Sequence, residues 1–519
     1  MFSEKRLPVA AMVLAISASL VLAAFAIWFG DLNQDEGWYL YASRLVSEGR
    51  FPYRDFFFTQ GPTLPFVYGW AYSLWSEAGV LGGRIFTACI GFLSALMAGW
   101  LAARSVARDR APAAGVAAFA MCACNLYHVY FTVIPKTYAL ASLLLTASFL
   151  LLSFCSASRR SLALAFAAGM LAAFAGGTRV SLLFALPPTA LALLFYRRHL
   201  GYAWFFFGAG AVLGVALVFG WALIAAPDEF VFSQTFHVGR GGRNLMFVAG
   251  SLSRTVRAYT ALFALLLFAL CARFAGAGKG EGDRTGTAFH RNMWMLAAGT
   301  VALVQLASPH PYDDYQVPVM GLVAAGVVSF ALDAPFARKP ALWTGFAAVV
   351  LTCMVSFGSP MLQDWFVVRQ DRFWTVMTKG GAMSNLRDAA KKINAISPKG
   401  DVLLTQDAYL AVATGKRLPH GMEMGPFSFF PELSDAEAEK NHVLNGALLE
   451  RALKTVPAAV CAFSDYSWAI RSPAMDPVSE KEREVYLDLI GTRFKPECKI
   501  PDFGQNHTLL TICGRKDDN

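Results

Sequence analysis

From the N-terminus to about residue 358 the chain is a succession of apolar runs joined by short polar links. Each run is about 17–25 residues long, the length an α-helix needs to cross the hydrocarbon of a bilayer. Ala, Leu, Gly and Phe fill these runs without the alternation that a barrel strand requires, so the pattern predicts a polytopic α-helical membrane protein. Centres near Leu20, Leu93, Ala120, Leu145, Ala168, Pro187, Gly214, Leu265, Ala302, Val323 and Val350 predict about eleven transmembrane helices. The first run, residues 8–30, follows Lys5 and Arg6, and its apolar core is longer than that of a signal peptide. It is expected to be a retained span with the N-terminus in the cytoplasm. Residues 61–77, rich in Trp, Tyr and Phe and broken by Pro62 and Pro65, are expected to lie at the membrane interface.

Beyond residue 358 the apolar runs shorten to strand length and charges become frequent. Helices are expected over 384–396, 444–455 and 480–490, and strands over 401–405, 458–463, around Cys498 and over 509–513. That alternation predicts a small soluble α/β domain over 359–519, following a membrane domain over 1–358 whose first outer loop is 31–77.

Composition agrees: 56% of the 519 residues are hydrophobic and 16% charged, too much apolar surface for a soluble core. The net charge of +9 raises the question of nucleic acid. Its basic residues, however, sit in links that a cytoplasmic N-terminus places inside: Arg104, Arg108 and Arg110; Arg159 and Arg160; Arg197 and Arg198; Arg273, Lys279 and Arg284; Arg338 and Lys339. They act as orientation signals, and no nucleic-acid partner is expected. The loop after the first span, residues 227–254 and 309–316, and the C-terminal domain then fall outside, in the periplasm of a bacterial inner-membrane protein. Two of Cys461, Cys498 and Cys513 could pair there, with the choice open, and no metal-ligand spacing, P-loop or nucleotide fingerprint occurs.

Candidate chemistry begins at the segment DLNQDEGWY over residues 31–39, where Asp35 and Glu36 start a helix just past the first span. Trp38, Tyr41 and Leu45 recur at helical spacing against a polar face of Arg44, Ser47 and Glu48, and Gly49 ends the helix. Such a helix would lie along the outer membrane surface and hold the two acids at headgroup level. Asp55, in the following GRFPYRDFFFTQGP over residues 49–62, is a candidate for binding an acceptor. Residues 415–423 and 427–431 of the tail mix charged and aromatic side chains that could also meet an acceptor glycan.

The opening span and loop, Asp35-Glu36-Gly37, the Tyr41-Ala42 helix and the 49–62 segment together resemble the GT-C superfamily of membrane glycosyltransferases. The similarity points to the branch of protein O-mannosyltransferases and lipid A aminoarabinose transferases. It is specific in the first loop and architectural elsewhere. The resemblance implies a GT-C-like fold and an inverting transfer of a sugar from a polyprenyl-phosphate donor to an extracytoplasmic envelope glycan, lipid or protein. It implies Asp35 as general base, with Glu36 a helper in positioning or metal binding. Arg179, His237, Arg240 and Arg243 are then candidates for the donor phosphate, and His310 and Tyr315 for further donor contacts. Asp313 and Asp314 without further matched ligands are a weak metal signal, so neither a metal nor a cofactor is expected to be required. The rival reading is a transporter or flippase for a lipid-linked glycan. It would favour polar groups at the membrane midplane and repeated halves, whereas the acids cluster in outer loops and no repeat is evident.

Overall fold

The apolar runs fold as helices wherever the structure describes them. The computed structural model describes residues 6–156, 158–241, 245–274, 285–333, 381–398, 401–466 and 468–516. The expected span around Val350, the basic link at Arg338 and Lys339, the boundary at residues 358 and 359, and Arg243 lie outside the described residues. Among the described residues, five helices are long and apolar enough to cross a bilayer: Pro8–Phe29, Tyr72–Arg104, Arg159–Thr178, Ala203–Ala225 and Asp313–Leu332. Two bent pairs, Ala111–Ala123 with Leu126–Val133 at 67° and Leu245–Ala258 with Thr260–Cys271 at 86°, raise the number to seven if each is one span. Thr137–Leu152 and Val180–Phe195 are shorter apolar helices.

The two bends are stitched to one another. Asn125 interrupts the first pair and caps its second helix by accepting from the His128 amide, while its side-chain nitrogen donates to the Ala258 carbonyl at the break of the second pair. His128 Nδ1 and the Tyr259 hydroxyl complete the contact at 3.0 Å. Backbone groups freed by a broken membrane helix need such partners, because hydrocarbon offers none.

After residue 381 the chain forms a mixed sheet flanked by helices. Strands β1 (Leu403–Leu404), β2 (Val460–Phe463), β5 (Phe494–Phe503) and β6 (Thr508–Arg515) lie in the order β1-β2-β6-β5, with only β1 and β2 parallel. A separate ribbon pairs β3 (Ile470–Arg471) with β4 (Asp476–Pro477). The described helices here are Ala382–Ile396, Ala408–Thr414, Asp435–Lys440, Gly446–Thr455 and Glu480–Arg493, and the first of them buries Leu386, Ala389 and Ile393. Cys461 on β2 stands opposite Cys513 on β6, and Cys498 is on β5; all three are free thiols.

Among the described residues, buried apolar side chains form two clusters. One lies within the helix bundle. The other unites Trp38, Tyr39, Tyr41, Phe56, Phe57 and Phe58 of the first loop with Leu403, Tyr409, Phe430 and Ile512 of the tail. The helix Gln34–Ser47 is therefore buried on nearly every side, Trp38, Tyr39, Leu40, Tyr41 and Ala42 included, rather than lying with one face in water. Its amphipathic pattern predicted one covered face; the tail covers the other. Gly37 makes the approach possible, since a Cβ there would lie 2.3 Å from the Tyr409 backbone nitrogen. Gly61 does the same on the bundle side, where a Cβ would meet the Gly177 carbonyl oxygen at 2.1 Å.

Candidate active site

Asp35 owes its direction to its neighbours. Asn33 caps the helix through its side chain, and Glu36 returns the bond from the third helical position by accepting from the Asn33 amide at 2.9 Å. Glu36 is fully buried and takes two bonds from Arg84, Nε to Oε2 at 2.8 Å and Nη2 to Oε1 at 2.6 Å. The same guanidinium donates to the carbonyls of Ile27, Gly30 and Asp31, so it ties the end of the first span, the loop and the helix start into one unit. Successive helix residues are about 100° apart, so with Glu36 locked inward Asp35 projects to one side.

That side is a cavity of about 250 Å³ between the bundle and the tail, lined by Asp35, Lys136, Arg179, Arg240, Asp313, Asp314 and Tyr315, with Met424, Phe427, Tyr466 and Gln505 from the tail. Lys136 Nζ lies 2.9 Å from Asp35 Oδ2 and 3.5 Å from Asp314 Oδ2. Burial draws the Lys136 ammonium toward neutrality, but Asp35 and Asp314 outweigh it and hold its pKa above the ordinary lysine value. Asp314 also accepts from the Tyr138 hydroxyl at 2.7 Å; Asp313 accepts from the Tyr127 hydroxyl at 2.6 Å and from Arg254 Nε at 2.8 Å. Each carboxylate of this wall is thus paired with a cation.

The arginines are less committed. The Arg179 guanidinium stacks 3.9 Å from the Tyr315 ring centroid, and that of Arg240 lies 4.8 Å from the Phe236 ring. Their buried Nε donors have no hydrogen-bond partner among the described residues. His237 sits beside them with its Nε2 2.6 Å from Gln60 Nε2, and burial together with Arg240 and Arg179 pushes its pKa down to about 3. It therefore enters the cavity as a neutral imidazole.

The residues singled out in the sequence divide accordingly. Asp35, Arg179, His237, Arg240 and Tyr315 converge on one cavity from segments 280 residues apart in the chain. Glu36 is adjacent but faces away, into its bond with Arg84. Asp55 lies in a turn outside the cavity, bonded to Arg54 at 2.7 Å and accepting from the Phe51 amide at 2.7 Å. His310 does not line the cavity; its ring packs 5.9 Å from that of Phe247. Sequence reasoning missed Arg84, whose signal is an arginine within an apolar helix, where a charge demands a partner. It also left Lys136 without a role, and no local pattern could reveal that Asp35 and Asp314 both reach it. Among the described residues, no group of three or more His, Cys, Asp or Glu side chains could hold a metal ion.

The architecture has counterparts among solved structures. ArnT from Cupriavidus metallidurans bound to undecaprenyl phosphate superposes with a TM-score of 0.59 at 15% sequence identity, over 96% of this chain and 97% of that one. Its apo state gives a TM-score of 0.58 at 16% identity over the same shares. No protein-family model and no curated protein matches the chain. At this identity the likeness concerns the fold: the chain is a polytopic membrane protein with the GT-C fold.

Proposed function

We propose that this protein is a membrane glycosyltransferase that moves a sugar from a polyprenyl-phosphate donor to a hydroxyl of an envelope glycan, lipid or protein, on the extracytoplasmic face and with inversion. One observation carries the reading: an acidic side chain fixed on a rigid helix, Asp35, shares a cavity with the lysine that pairs it and with two arginines holding unused donors. A transfer of this kind needs a base at the acceptor and cations at the leaving phosphate. The fold shared with ArnT, a structure solved with undecaprenyl phosphate bound, supports the choice of donor class.

In the proposed reaction the acceptor hydroxyl loses its proton to Asp35 as its oxygen attacks the anomeric carbon. The bond from that carbon to the phosphate oxygen breaks, and polyprenyl phosphate leaves with the electron pair. Arg179 and Arg240 offer Nε donors to the phosphate, with His237 as a neutral hydrogen-bonding partner. A phosphate arriving beside Lys136 competes for its ammonium and frees Asp35 to accept the proton. Glu36 and Arg84 hold the helix start in place.

The test is to incubate purified protein with a panel of polyprenyl-phosphate sugars and envelope extracts, and to identify the product by mass spectrometry and its anomeric configuration by NMR. Asp35→Asn is expected to lower turnover by about 10²–10⁴-fold, the range for a lost general base, while donor binding survives. Undiminished turnover in that variant would sink the assignment of Asp35. Movement of labelled glycan across vesicles without any covalent product would instead reveal a flippase.

A further inference from the structure

Away from the cavity, two histidines of the tail meet over the first loop. His420 follows Pro419 in a turn whose next residue, Gly421, has φ +84°, and His442 itself holds φ +55°, a left-handed conformation uncommon for a residue with a side chain. His420 Nε2 and His442 Nδ1 face each other at 3.4 Å.

The other nitrogen of each ring is already spoken for by a group that can only accept. His420 Nδ1 lies 3.2 Å from Glu423 Oε1, and His442 Nε2 lies 2.9 Å from the Arg54 carbonyl oxygen. A carboxylate and a carbonyl both require a proton on the ring nitrogen, so each ring carries its hydrogen on the outer side. The two inner nitrogens are then both lone pairs, aimed at one another. Such a pair needs a positive centre between them. Glu423 is itself anchored: it is 3% exposed and accepts from the Gly421 amide at 2.7 Å, with Arg50 at 3.5 Å.

We propose that His420 and His442 form a two-histidine site for a divalent transition metal of the zinc and copper class, with water filling the remaining positions. Two imidazole nitrogens bound at about 2.0–2.1 Å to a tetrahedral ion stand about 3.3–3.4 Å apart, which is the separation the rings already have. Glu423 on His420 and the Arg54 carbonyl on His442 supply the outer hydrogen bonds that fix tautomer and ring direction in metal sites. Imidazole ligands suit zinc and copper over magnesium or calcium, which take oxygen. The competing positive centre is a third proton, which would make His420 an imidazolium donating to His442; the hydrogen bond to Glu423 raises the His420 pKa in that direction, while burial lowers that of His442. A metal displaces this proton. Bound there, it pins the turn that leads to Met424 and Phe427 of the cavity wall against the chain at Arg54. The site stands independently of the transfer reaction.

The experiment is calorimetric titration of chelator-stripped, full-length, untagged protein with zinc, and paramagnetic resonance of the copper-loaded protein. The expected result is one equivalent of zinc, weakened at least tenfold in both His420→Gln and His442→Gln, with two nitrogen donors in the copper spectrum. Glu423→Gln is expected to weaken binding less than either. His420 is 60% exposed, so its variant keeps the fold, which a melting curve verifies. No zinc uptake, or uptake unchanged in both histidine variants, overturns the site and leaves the shared proton as the explanation.

Discussion

Asp35 sits beside a lysine it does not own outright. Lys136 bridges it to Asp314, so an anion that draws the ammonium away releases both carboxylates at once. Lys136→Gln is expected to raise the KM for the lipid-phosphate donor by about 10–100-fold, the value of one charge-assisted bond, with a smaller change in kcat. Lys136→Arg should recover most of the loss; steady-state kinetics over a donor series reads both. Arg84 belongs to a different class of residue. Its removal strips the buried Glu36 carboxylate of both guanidinium donors, leaving it the Asn33 amide, and takes a donor from the carbonyls of Ile27, Gly30 and Asp31. Arg84→Met is therefore expected to destabilise the fold by about 3–5 kcal/mol, measured by thermal unfolding in detergent, and the double variant with Glu36→Gln should regain part of it.

At the scale of elements, the helix Gln34–Ser47 is held between two bodies, and the hairpin between β5 and β6 is one of its clasps. Gln34 donates from its amide to Gln505 and from its side chain to Asp407, while His507 lies 3.3 Å from the buried carboxylate of Asp31 and 3.1 Å from Asp502. The bond to Asp31 raises the His507 pKa from 6.5 to about 9 against the cost of burial, and burial lifts Asp31 to about 6. A histidine that binds its proton more tightly when folded contributes its full stabilisation below about pH 6.5 and loses it as the pH rises through about 9. Melting temperature is expected to fall across that window, by about 1 °C for each kcal/mol lost in a chain of this length, and His507→Gln should flatten the decline. Element types were legible from local pattern: the helix over 384–396 and the strand over 458–463 appear as Ala382–Ile396 and Val460–Phe463. The bends at Asn125 and at Tyr259 were not legible, because hydropathy averages across a break that one capping side chain creates.

For the molecule as a whole, the tail completes the cavity rather than hanging from the bundle. Met424, Phe427, Tyr466 and Gln505 form part of its wall, and Lys440 reaches Asp228 in the first turn of the helix Pro227–Thr235 at 2.6 Å. A chain ended at residue 380 is expected to insert into membranes yet lose transfer by about a hundredfold or more, since the helix carrying Asp35 would lose its support. Product assays on washed membranes, normalised to inserted protein, check this.

The sequence by itself determined the membrane class, the resemblance of the first loop to GT-C enzymes and the place of Asp35 at the start of a helix. These depend on hydropathy over some twenty residues and on one short motif, both local properties of the chain. Only the tertiary structure decided which charges Asp35 meets. Lys136, Arg179, Arg240 and Asp314 come from four segments widely separated in the chain, and their convergence follows from close packing of helices and tail. It likewise separated the adjacent acids, giving Glu36 to Arg84 and Asp35 to the cavity. A helix turns about 100° per residue, and which side is buried depends on what packs against it.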